Sequence, residues 1–105
     1  MDERVRQLGD LTIDGATGDV WVNGRALDLS ALEFRLLEFL ASRPSGTVSR
    51  DELIRALWTD DSPGNGRKLN LLVYRLRRKL EGTSSWRVRA MRRRGYMLCP
   101  AVEDA

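Results

Sequence analysis

The sequence predicts an α+β fold: an N-terminal antiparallel sheet, three helices and a C-terminal β-hairpin, forming one domain over residues 1–105 with a structured core at about 6–100. Three observations predict it. The first thirty residues alternate apolar and polar side chains between glycines. Two Ser-x-x-Glu signatures then precede helix-periodic apolar runs, and two strand-like runs near the end flank the tripeptide RRR. A chain of 105 residues suits one core rather than two.

The first strand is expected within "QLGDLTID", where Leu8, Leu11 and Ile13 offer an apolar face. "GATG" interrupts it, and "DVWVNG" resumes with Val20 and Val22. Asn23-Gly24 is a hairpin turn signal because both residues tolerate positive φ, so "RALDL" is read as a short return strand. Ser30 with Glu33 makes a capping box that opens a helix running to about residue 42, ahead of Pro44 and Gly46. Its Leu32, Phe34, Leu36, Leu37, Phe39 and Leu40 occupy most of the circumference, which predicts a central helix covered on more than one side.

Ser49 and Glu52 form a second box, beginning the helix "RDELIRALW" with Leu53, Ile54, Leu57 and Trp58 inward. "TDDSPGNG", residues 59–66, is read as a loop because Pro63, Gly64 and Gly66 punctuate it. A third helix is expected over 67–81, ended by Gly82. On it, Leu69, Leu72, Val73, Leu76 and Leu80 form an inward stripe. Arg67, Lys68, Leu71, Tyr74, Arg75 and Arg78 lie outward. "WRVRAM", the tip Arg92-Arg93-Arg94, and "GYMLC" complete a hairpin.

The charge is lopsided. Residues 67–94 hold eleven Arg or Lys and one acid, Glu81, whereas the preceding segment is net acidic, in a chain of net charge +3. Such asymmetry points to a polyanion, nucleic acid before membrane surface. The chain has no histidine and a single cysteine, Cys99, which removes triads of the Ser-His-Asp kind, zinc clusters and an intramolecular disulfide. No cofactor or metal is expected, and the N-terminus lacks a hydrophobic signal core, so the expectation is a soluble cytoplasmic chain without catalytic activity.

Two successive helices, the second basic on its outer face, followed by an Arg-tipped hairpin, make the plan of a winged helix-turn-helix. B-DNA's major groove admits one helix, and a hairpin beside it can lay an Arg in the adjacent minor groove. The chain resembles the DNA-binding domain of OmpR/PhoB-type response regulators over nearly its whole length. "LDLSALEFRLLEFLASRPSGTVSRDELIRALW" is similar to the family's first two helices, "RKLNLLVYRLRRKLEG" to its recognition helix and "VRAMRRRGYML" to its wing.

The resemblance implies that Arg67, Leu71 and Arg75 enter the major groove, and that Arg92 reaches the minor groove. It implies further that Trp58 meets the phosphate backbone. Lys68, Asn70, Tyr74, Arg78, Arg93, Arg94 and Tyr96 complete the expected DNA-binding set. It also implies a head-to-tail second copy on direct repeats and an RNA polymerase contact through residues 59–66. Three positions depart from the family pattern. Asn70 stands where an acid is frequent and is able to pair with adenine. Leu72 replaces a His, and Arg93 replaces a Gly. Plainer readings stand beside these: a solvated basic face, core packing for Trp58, a packing role for Tyr96 and a tolerated surface leucine at Leu71. A winged helix that contacts an acidic protein, or the DNA-binding end of a one-component regulator, are the alternative functions.

Overall fold

A computed structural model describes residues 4–101, so both ends of the expected 1–105 domain lie outside the described residues. Strands β1 (Val5–Leu8), β2 (Leu11–Asp14), β3 (Asp19–Val22) and β4 (Arg25–Ala26) form an antiparallel meander in chain order. The register sets Leu11 opposite Val22 and Ile13 opposite Val20, and all four are buried because alternate residues share a face. "QLGDLTID" is therefore two strands, not one: Gly9, at φ 58°, turns the chain between them. The return strand is also shorter than expected. Its strand residues are Arg25 and Ala26; Leu27 N–H still donates to the Val20 carbonyl of β3 at 2.8 Å, and Leu27 and Leu29 follow outside the strand and pack on the core. Asn23 and Gly24 adopt φ 52° and 80°, the double positive φ that a two-residue hairpin turn requires.

Helix α1 (Ala31–Ala41) starts at the Ser30 box, with Glu33 N–H donating to Ser30 Oγ at 3.2 Å and Ser30 N–H to Glu33 Oε1 at 2.9 Å. Leu36, Leu37, Leu40 and Ala41 are fully buried, and Leu32, Phe34 and Phe39 pack at the edge of the same core. Strand β5 (Thr47–Val48), which the sequence does not announce, pairs with the C-terminal hairpin. Helix α2 (Arg50–Leu57) is capped by the Ser49 box and ends one residue early, with Trp58 extended at its C-cap. Arg35 of α1 donates to the Ala56 carbonyl at 2.6 Å, satisfying one of the acceptors that a helix end leaves open.

Helix α3 is Asn65–Glu81, two residues longer at its start than the loop reading of 59–66 allows. The Asn65 side chain is buried and donates to the Asp60 carbonyl at 3.0 Å, which folds the preceding loop back on the first turn. Strands β6 (Trp86–Met91) and β7 (Gly95–Pro100) form the expected hairpin, giving a second sheet in the order β5-β7-β6. One core joins β2 and β3, all three helices, Val48, Val88 and Leu98. No helix among the described residues is long and apolar enough to cross a membrane.

Candidate nucleic-acid interface

Helix α3 has two chemically opposite sides. Leu69, Leu72, Val73, Leu76 and Leu80 are at most 6% exposed, as their spacing predicts. Burying five such side chains contributes on the order of 10 kcal/mol, so the helix is held from within and its outer face is free to serve a ligand. That outer face presents Arg67, Lys68, Asn70, Leu71, Tyr74, Arg75 and Arg78, all exposed. Leu71 and Tyr74, at 48% and 58%, are the large apolar side chains that this helix leaves in solvent.

The four cations of "YRLRRKL" divide by role. Arg77 Nε donates to the Val88 carbonyl at 2.9 Å, tying α3 to β6. Lys79 Nζ donates to Glu33 Oε1 at 2.6 Å and to the Asp28 carbonyl at 2.9 Å. Burial raises the Glu33 carboxyl's pKa, but the Lys79 ammonium and the Ser30 backbone more than offset it, and the net direction is down. These two cations hold the fold. Arg75 and Arg78 take no ion pair among the described residues and remain available outward.

The hairpin tip supplies a second basic surface. Arg92, Arg93 and Arg94 are exposed and are not ion-paired among the described residues. Arg94 N–H donates to the Met91 carbonyl at 2.9 Å, closing the turn, and Arg93 sits at φ 64° in the left-handed region. A groove of roughly 440 Å³ runs between this tip and the start of α2, lined by Arg50, Asp51, Met91, Arg92, Gly95 and Tyr96 among others. Gly95, at φ 138°, allows the approach: a Cβ there would lie 2.0 Å from the Val48 carbonyl oxygen.

Trp58 and Tyr96 are the two members of the expected set that are not fully exposed. Trp58 packs its ring against the core, and its indole N–H has no hydrogen-bond partner among the described residues. Tyr96 also packs on the core and accepts a hydrogen bond at its hydroxyl from Arg50 Nη1, 3.0 Å away. Arg50 is the residue that sequence reasoning missed. From the first position of α2, Nη1 also donates to Asn70 Oδ1 at 2.7 Å, and Nη2 donates to the Gly66 carbonyl at 3.1 Å. One guanidinium thus ties α2 to the outer face of α3 and to the base of the hairpin. An Arg directly after a helix cap looks like an ordinary surface residue, and its partners lie 16, 20 and 46 positions away.

The family described as "Transcriptional regulatory protein, C terminal" matches residues 24–98. The chain is 37% identical over 99 residues to the transcriptional regulatory protein TrcR of Mycobacterium tuberculosis, covering 94% of this chain and 38% of that protein. It is 34% identical over 90 residues to the response regulator MprA of a Mycobacterium species, covering 85% of this chain and 39% of that protein. The chain therefore spans roughly two fifths of the length of these relatives. Among solved structures, the RstA DNA-binding domain of Klebsiella pneumoniae, in complex with the RstA box, superposes with a TM-score of 0.80 at 30% identity. That match covers 93% of this chain and 99% of the other.

Proposed function

The chain belongs to the C-terminal domain family of transcriptional regulatory proteins, of OmpR/PhoB type, whose members are DNA-binding regulators rather than enzymes; from that premise we propose that α3 lies in the major groove of duplex DNA while the β6–β7 tip enters the adjacent minor groove. One observation carries the reading: Arg67, Lys68, Arg75, Arg78, Arg92, Arg93 and Arg94 are all exposed and none is ion-paired among the described residues. Cations that the fold does not neutralise are the groups a phosphate backbone attracts. Arg67 and Arg75 are the proposed base readers, since a guanidinium matches O6 and N7 of guanine, and Leu71 is suited to a thymine methyl. Lys68, Arg78, Arg93, Arg94, Tyr74 and the Trp58 indole N–H are assigned to the backbone, and Arg92 to the minor groove.

The parent protein is proposed to be a two-component response regulator, of which this chain is the effector part. Its similarity to MprA and the shorter span relative to these relatives support that reading. A second copy is expected head-to-tail on direct repeats, and the 59–66 segment, with exposed Asp60 and Asp61, is proposed to face RNA polymerase. The test is a salt titration of binding to a duplex selected from a random pool. If about six of the cations neutralise phosphates, log affinity falls against log salt with a slope near −5. A slope near zero, or equal affinity for all duplexes, overturns the proposal.

A further inference from the structure

We propose that Arg50 sets the base that Asn70 reads, by turning Asn70 into a hydrogen-bond donor toward the groove. The inference rests on the DNA-binding reading above and goes beyond it in fixing what this position recognises. Asparagine ordinarily suits adenine, because its Oδ1 accepts from N6 while its Nδ2 donates to N7. Here Oδ1 already accepts from Arg50 Nη1 at 2.7 Å, which uses one of its two lone pairs. The orientation follows from chemistry: a guanidinium only donates, so the amide atom facing it must be the oxygen, and a flipped amide would set donor against donor.

What remains fully free for a ligand, on an exposed side chain of the outer α3 face, is the Nδ2 amide, which has no hydrogen-bond partner among the described residues, whereas Oδ1 keeps only its second lone pair. Arg50 cannot readily swing away to release Oδ1. Its guanidinium is held at the same time by the Gly66 carbonyl at 3.1 Å and the Tyr96 hydroxyl at 3.0 Å, on the first turn of α3 and on β7. A donor pair facing the groove meets two acceptors on guanine, N7 and O6, but on adenine it meets one acceptor and one donor. Asn70 therefore prefers guanine over adenine at the base pair it faces, contrary to its residue type.

The test uses the selected half-site and all of its single-base variants, titrated with the wild-type chain, Asn70→Asp and Arg50→Met, after thermal unfolding has established that each is folded. Wild type should favour guanine over adenine at one position by about tenfold. Asn70→Asp keeps the Arg50 partnership but turns an acceptor outward, so the preference there should pass to cytosine or adenine, whose exocyclic amines donate. Arg50→Met frees Oδ1 and should shift the same position toward adenine. If Asn70→Asp leaves every base preference unchanged, or if Arg50→Met lowers all variants by one common factor, the inference fails while DNA binding stands. If wild type shows no base preference anywhere, the underlying DNA-reading assignment fails first.

Discussion

Gly95→Ala is expected to unseat the hairpin from the helices, and its cost follows from the local geometry. The residue lies at φ 138°, a conformation open in practice only to glycine, and forcing an alanine into it costs on the order of 1–3 kcal/mol. The added Cβ would also stand 2.0 Å from the Val48 carbonyl oxygen and 2.8 Å from Ser49 Cα. Both are backbone atoms, so no side chain can rotate out of the way. Either β7 leaves β5, breaking the Val48–Tyr96 and Thr47–Met97 pairing, or the Ser49 cap shifts. Losing a couple of backbone hydrogen bonds adds roughly 1–3 kcal/mol, for a total of about 2–6 kcal/mol. For a domain of this size that lowers the melting temperature by on the order of 20 °C. Thermal unfolding followed by circular dichroism measures it, with Gly82→Ala as the control. Gly82 has φ −87° and open space around its Cβ position, so alanine there should be neutral or stabilising by about 0.5 kcal/mol. A Gly95→Ala chain that melts within a few degrees of wild type refutes the account of how the hairpin is seated.

Lys79→Met removes the cation that holds the buried Glu33 and should cost about 2 kcal/mol at neutral pH. Glu33 and Asp10 have folded pKa values below their ordinary 4.5 and 3.8, burial being outweighed by Lys79 and Ser30 in one case and by Ser84 and Ser85 in the other. The unfolded chain therefore binds these protons first. Stability is complete above the ordinary values and is lost as pH falls through the lowered ones, so urea titrations should show the gap between wild type and Lys79→Met closing as pH falls below the ordinary 4.5 of Glu33. Arg93→Gly relieves a left-handed φ of 64° and should raise the melting temperature by a few degrees, while reducing the salt slope of DNA binding by about 0.9 if Arg93 meets phosphate. Arg75→Ala should cost about 1–3 kcal/mol on the selected site and flatten one base preference, whereas Arg78→Ala should weaken all single-base variants alike; a uniform loss for Arg75 makes it a phosphate contact.

Elements specified by neighbouring residues were legible in the sequence. Both capping boxes need only positions i and i+3, and both form as written at Ser30 and Ser49. The α3 stripe needs only helical periodicity, and its five residues are buried. The outer residues of that helix and the tip arginines are exposed where the spacing places them, because, Asn70 apart, no side chain among the described residues pairs with them. Misreadings arose where a distant partner decides the outcome. Gly9-Asp10 looked like part of one strand, yet the Asp10 carboxylate accepts from Ser84 Oγ and Ser85 N–H, both at 2.7 Å, and this pins a turn to a loop some 75 residues away. Strand β5 is two residues long and exists only because β7 lies beside it.

The dipeptide Asn-Gly shows why the boundary of the site was less legible than its centre. It occurs twice. At Asn23-Gly24 it makes the hairpin turn that its chemistry favours, with both residues exposed and nothing within 4 Å of a Gly24 Cβ. At Asn65-Gly66 the same two residues are the first turn of α3, because the Asn65 amide is 2% exposed and bonded to Asp60. Burial and a partner five residues back override the local preference for positive φ. The consequence reaches the proposed DNA interface. With Gly66 helical, its carbonyl is placed to accept from Arg50, and the same guanidinium then fixes Asn70 and Tyr96. The face that α3 offers a ligand is therefore determined by α2 and β7 as well as by its own residues, and the orientation of the Asn70 amide follows from Arg50, a residue outside the α3 sequence.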